Sequence, residues 1–145
     1  MELKLMDLQA WIRSQLLIHL QPKTVVLLNG EMGAGKTEIV KQTCELLKYT
    51  QAQSPTFSIF NTYVGPQKMK IHHVDLYRLK GNEDLDSTGF WDLFESEEDL
   101  IFIEWAELVS KDQWPWGWKQ IQIDIKKTHL DSRDIKLLLE PYSPS

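Results

Sequence analysis

The chain has one cysteine, three arginines and no long apolar run in its 145 residues. Each shortage excludes something. With Cys44 alone, no internal disulfide can form, which fits a reducing, cytoplasmic setting. No segment approaches the roughly 18 apolar residues of a membrane span, so no membrane is expected among its partners. The N-terminal stretch MELKLMDLQAWIRSQLLIHL carries Asp7 and Arg13 within its apolar pattern and reads as a helix, not as a signal peptide. The net charge of −5 argues against non-specific nucleic-acid binding by this chain alone, because such binding needs basic surface. No internal repeat, low-complexity tract or linker divides the sequence, so residues 1–145 read as a single domain.

What is present is enough apolar residue for a core. Hydrophobic residues make up 42% and charged residues 26%, a globular and not a disordered balance. Residues 7–20 place Leu8, Trp11, Ile12, Leu16, Leu17 and Leu20 near one helical face, and Gln21-Pro22 ends that element. TVVLLN at 24–29 has the continuous apolar character of a buried parallel strand. A helix is expected from the end of the next loop to about Tyr49, followed by a polar loop over 50–58. Residues 58–64 and 68–79 read as β, separated by GPQ, and 83–95 as a helix. LIFIEW at 100–105 is strand-like, and 110–120 is irregular. The alternation of Ile121, Ile123 and Ile125, then Ile135, Leu137 and Leu139, predicts a C-terminal antiparallel β-hairpin around THLDS.

Between the first strand and the second helix lies GEMGAGKT, residues 30–37. It fits G-x-x-x-x-G-K-[ST], the phosphate-binding P-loop. Glycines at 30, 33 and 35 cost conformational entropy, but they allow positive φ and close approach. Backbone N–H groups of Gly30, Glu31, Met32, Gly33, Ala34 and Gly35 can then form a nest for phosphate oxygens, with Lys36, Thr37 and Glu38 opening the helix. Lys36 would reach the β- and γ-phosphates and the Thr37 hydroxyl would bind Mg²⁺. A glycine-rich turn that binds nothing has the same residues, but the flanking strand and helix favour the phosphate site. The fold class expected is α/β: a P-loop NTPase-type mixed sheet with flanking helices and the C-terminal hairpin.

A nucleotide-bound Mg²⁺ needs a nearby carboxylate, commonly at a strand end. Two acids end β-like runs, Asp75 in KIHHVDLYR and Glu104 in LIFIEW. Spacing leaves open which of them serves the metal and which acts on the attacking water. Thr56, in SPTFS, could sense the γ-phosphate but alone reads as a turn residue. His72 and His73 are adjacent on a strand, face opposite sides, and make no two-ligand metal site. Trp105 could cover the nucleotide, although a core position is the default for tryptophan. Trp114, Trp116 and Trp118 are expected to pack beneath an irregular loop.

Together, GEMGAGKT at 30–37, SPTF at 54–57, HVDLYRL at 73–79, a Gly-Phe within 83–95 and IEW at 103–105 resemble the TsaE (YjeE) family of bacterial tRNA threonylcarbamoyladenosine biosynthesis ATPases. The resemblance covers the chain from about residue 6 to the hairpin. It implies a Mg²⁺-dependent ATP hydrolase that binds ATP and ADP and works with two partners, threonylcarbamoyl-transfer proteins of the TsaD/TsaB type. Those partners modify N6 of adenosine 37 in tRNAs reading ANN codons, so tRNA would be met only indirectly. By resemblance, Thr56 lies in the first switch, Asp75 in the second, and Glu104 and Trp105 match the family's functional pair. Met32 and Ala106 stand where leucine and proline are usual.

Other P-loop functions fit less well. Small kinases bring a basic lid, whereas Arg13, Arg78 and Arg133 form no cluster. Regulatory GTPases read guanine through N-K-x-D, which is absent here. A nucleotide-binding module without catalysis would differ only in releasing no phosphate.

Overall fold

The computed structural model describes residues 1–52, 60–78, 88–106 and 117–140. An eight-stranded sheet runs in the order β1-β8-β7-β2-β6-β5-β4-β3. The strands are β1 (Glu2–Lys4), β2 (Thr24–Asn29), β3 (Thr50–Gln51), β4 (Phe60–Val64), β5 (Ile71–Asp75), β6 (Leu100–Glu104), β7 (Lys119–His129) and β8 (Ser132–Glu140). The four central strands, β7, β2, β6 and β5, are parallel. Antiparallel strands extend both sides: β8 and β1 beyond β7, β4 and β3 beyond β5. This is the mixed sheet expected.

Alternation along the central strands builds two cores. Val26 and Leu28 of β2 and Leu100 and Phe102 of β6 face α1 (Leu8–Trp11) and α2 (Lys36–Leu47). Val25, Ile101 and Ile103 face the other way, onto Leu76, Phe90, Leu93, Phe94 and Trp118. All five residues of β6 are buried, as a central parallel strand requires. Phe102→Ala is expected to cost about 3–5 kcal/mol, because its ring is fully buried and the cavity can collapse only in part. Urea unfolding measures this, and a loss below about 1 kcal/mol would contradict its central place.

Five details differ from the sequence reading. The N-terminal helix does not begin at the first residues. Glu2–Lys4 instead form β1, registered against Ser132–Asp134 of β8. The unpaired edge of β8 supplies hydrogen bonds that three residues could not make among themselves. Residues 7–20 are helical but uneven. The α-turn Leu8–Trp11 widens to a π-turn over Ile12–Leu16 and tightens to a 3₁₀ turn over Leu17–His19. Thr50 and Gln51, expected in a loop, pair with β4. The strand expected over 68–79 is β5 alone, and Leu76–Arg78 coil into a 3₁₀ turn. Of the helix expected over 83–95, Trp91–Glu95 is 3₁₀, and residues 83–87 lie outside the described residues. The hairpin is present, with Ile121, Ile123, Ile125 and Ile135 buried and Leu139 exposed. Trp118 packs its ring edge-on to Phe94 with centroids 5.0 Å apart, while Trp114 and Trp116 lie outside the described residues. Cys44 is buried in α2, and burial, reinforced by Glu45, pushes its thiol up to about 12.

Candidate functional site

The chain leaves β2 at Asn29 and enters the glycine loop directly. Gly33 (φ 83°) and Gly35 (φ 118°) adopt backbone conformations that side chains disfavour. At Gly30 the constraint is space, since a Cβ there would run into the carbonyl oxygen of Ile125 on β7. Helix α2 starts at Lys36, so its first N–H groups, which have no intrahelical acceptor, open onto the loop.

Lys36 is 4% exposed. Its Nζ donates to the Gly30 carbonyl at 2.6 Å and lies 3.8 Å from the centre of the Trp105 ring. Trp105 reaches that place because its backbone is left-handed (φ 63°) directly after β6, which turns the chain back over the loop. Such a conformation costs a non-glycine residue on the order of 1–3 kcal/mol. The Tyr77 ring packs against the Trp105 indole, with centroids 5.0 Å apart.

Parallel pairing of β5 and β6 sets Asp75 and Glu104 side by side in register. Glu104 is 5% exposed, and its Oε2 accepts from the Thr37 hydroxyl at 2.8 Å and from His73 Nε2 at 2.5 Å. Burial pulls this carboxyl upward. The hydrogen bond and charge of His73, the Thr37 bond and the charge of Lys36 together outweigh burial and hold Glu104 below the ordinary carboxylate value. Asp75 is half-buried, and its Oδ1 accepts from the backbone N–H of Tyr77 at 3.1 Å.

These groups line one cleft of about 350 Å³, with Met32, Gly33, Gly35, Lys36, Thr37, Glu38, Asp75, Tyr77, Glu104 and Trp105 on its walls. A hydroxyl and two carboxylates on one wall are hard oxygen donors, the chemistry Mg²⁺ prefers. Among the described residues, no group of three His, Cys, Asp or Glu side chains could hold a metal unaided. A nucleotide-bound metal that takes few protein ligands would fit such a wall.

Of the residues expected from sequence, Gly30 meets the site only through its carbonyl, which accepts from Lys36, while Ala34 is buried and Glu31 is exposed. Thr56 lies outside the described residues, as does the Arg78 side chain. Sequence reasoning gave no role to His73 or Tyr77. The signal for His73 was there. It stands two residues before Asp75 on one strand, and period-two alternation places both on the same face. His72 faces the opposite way, as expected. Its Nε2 meets Asp99 at 2.8 Å and its Nδ1 meets the Thr62 hydroxyl at 2.9 Å.

A parallel strand runs into a glycine loop and helix, and its neighbour delivers a carboxylate to that helix's threonine. This is the P-loop NTPase fold. The crystal structure of YdiB from Bacillus subtilis superposes with a TM-score of 0.62 at 27% identity, over 94% of this chain and 84% of that one. Residues 6–135 match the family model of the threonylcarbamoyl adenosine biosynthesis protein TsaE, and the chain belongs to the TsaE family. The tRNA threonylcarbamoyladenosine biosynthesis protein TsaE of Rickettsia prowazekii is 42% identical over 95 residues, which span 63% of this chain and 62% of that protein. Its counterpart from Bacillus subtilis is 33% identical over 116 residues, 79% of this chain and 69% of that protein. No helix among the described residues is long and apolar enough to cross a membrane.

Proposed function

We propose that this protein hydrolyses ATP, with Mg²⁺, in support of tRNA N6-threonylcarbamoyladenosine formation, and that it does so in complex with threonylcarbamoyl-transfer proteins of the TsaD/TsaB type. The observation that carries the reading is the chain of contacts His73–Glu104–Thr37 beside Lys36 in one cleft.

The loop amides and Lys36 bind the phosphates of ATP or ADP. Mg²⁺, when bound, neutralises phosphate charge. Thr37 would hold it, with Glu104 fixing the hydroxyl through its hydrogen bond. His73 in turn keeps Glu104 ionised and oriented. Asp75, side by side with Glu104 in the parallel register and on the same cleft wall, is the second carboxylate and takes the attacking water. Water adds to the γ-phosphorus as the bond to the ADP oxygen breaks, and the water's proton passes toward Asp75. Trp105 covers Lys36 until phosphate displaces the indole. The resemblance assigns Thr56 the role of switch threonine.

No arginine lines the cleft among the described residues. An arginine finger is worth ~10³–10⁵ in rate. The chain by itself is therefore expected to turn over slowly, with a partner supplying the missing positive charge. The test measures phosphate release by the chain alone, with the partner proteins, and with tRNA alone. Stimulation by the partners supports the reading. Stimulation by tRNA alone, with none by the partners, overturns it in favour of a direct nucleic-acid enzyme.

A further inference from the structure

The three arginines looked unremarkable in the sequence, but Arg133 is not a surface residue. It is the second residue of β8 and only 4% exposed. Its guanidinium makes five hydrogen bonds, every one to a backbone carbonyl. Three hold the hairpin turn: Nη1 donates to His129 O at 3.1 Å, Leu130 O at 3.4 Å and Ser132 O at 2.8 Å. Two cross to the phosphate loop, with Nε donating to Ala34 O at 2.7 Å and Nη2 to Gly33 O at 3.4 Å. Among the described residues it forms no ion pair with a carboxylate.

Two physical consequences follow. In a trans peptide the C=O and the next N–H point in opposite directions, and no cis peptide is present. Holding the carbonyls of Gly33 and Ala34 on one side therefore aims the N–H groups of Ala34 and Gly35 to the other. The Ala34 N–H is spent on the Glu31 carbonyl inside the loop. That leaves the Gly35 N–H, from a residue on the cleft wall, as the group this bond aims. The second consequence is electrostatic. A buried cation without a counter-charge is costly, and carbonyl dipoles repay only part of that cost. An anion seated in the loop would repay the rest.

We propose that Arg133 is a positioning residue of the phosphate site. It clamps the glycine loop to the C-terminal hairpin from behind, sets the peptide plane that presents the Gly35 N–H, and brings to the back of that loop a positive charge that has no carboxylate partner among the described residues. The inference rests on the nucleotide-binding reading above and extends the site to an element 99 residues away from Ala34. A planar fork is required, because one head must hold two consecutive loop carbonyls and the turn together. A lysine ammonium cannot span that arrangement.

The experiment titrates ADP into the wild-type chain, Arg133→Lys and Arg133→Met by calorimetry, at temperatures well below each variant's unfolding midpoint. Circular dichroism establishes that each variant is folded. Arg133→Lys keeps the charge and loses the fork, and should weaken ADP binding about tenfold. Arg133→Met loses both and should weaken it on the order of a hundredfold. In the partner-stimulated ATPase assay, KM should rise in step while kcat changes less than about threefold. A merely structural arginine would lower the unfolding midpoint and leave the affinity of the folded molecules unchanged. Wild-type affinity in folded Arg133→Lys and Arg133→Met overturns the inference alone. If Arg133→Met does not fold, Arg133→Lys decides by itself. Failure of the wild-type chain to bind ADP overturns the nucleotide reading, and this inference with it.

Discussion

Lys36→Ala is expected to abolish productive nucleotide binding and to leave the fold intact. The ammonium is the one side-chain cation on the cleft wall among the described residues, and it is desolvated there. Its present partners are a carbonyl and an aromatic face, neither of which carries a full negative charge. Phosphate oxygens would be much stronger partners, because a charge-assisted hydrogen bond is roughly twice as strong as a neutral one. Truncating one side of a buried charge pair commonly costs 2–5 kcal/mol, so ADP affinity should fall by about thirtyfold to several thousandfold. The fold should survive because the side chain projects into the cleft, where water can take over the Gly30 carbonyl. Calorimetric titration with ADP, alongside thermal unfolding, separates the two effects. Unchanged affinity in the folded variant would refute the phosphate role of Lys36.

Glu104→Gln is expected to slow hydrolysis at least about a hundredfold while changing ADP affinity far less. The change keeps the shape of the side chain and removes its charge. It also breaks the double acceptance at Oε2. An amide oxygen can still accept from Thr37 or from His73, but the attraction that organises both donors is gone. Asp75→Asn should impair turnover in the same manner, through loss of the acceptor for the water's proton. Single-turnover phosphate release against ADP titration reads the split, and wild-type rates in both variants would remove the two carboxylates from the mechanism.

The same residue sets an acid limit. The folded-state value of Glu104 lies below its ordinary one. The stability it contributes is therefore complete above the ordinary carboxylate range and disappears as pH falls through the lowered value. Hydrolysis that depends on the ionised form should fade over that same acid window. His73→Asn removes a hydrogen bond that lowers the Glu104 value, and should move this acid limb toward neutral pH.

Much of the site could be read locally. GEMGAGKT specifies its own backbone, because the glycines that permit the loop and the lysine and threonine that serve it are consecutive. The strand before it and the helix after it carry their own periodicities. Asp75 and Glu104 were recognisable as acids ending apolar runs. The hairpin announced itself through alternating isoleucines. The set of motifs, in order, was enough to point to the family.

What only the tertiary structure decided are the contacts between segments. The sequence left two carboxylates as equals. Sheet order separated them, by seating β6 directly beside β2 so that Glu104, 67 residues from Thr37, accepts its hydroxyl. The parallel register of β5 then brought His73 to the same oxygen. The left-handed turn at Trp105 laid an indole on Lys36, a geometry no periodicity encodes. Glu2–Lys4 became a strand only because β8 offered an edge. Arg133 became part of the phosphate loop's support only because β7 and β8 fold back beside Gly33 and Ala34. Local sequence sets backbone preference over a few residues. Which side chains meet across 30 to 100 positions is set by strand order and register, and those are properties of the whole packed sheet.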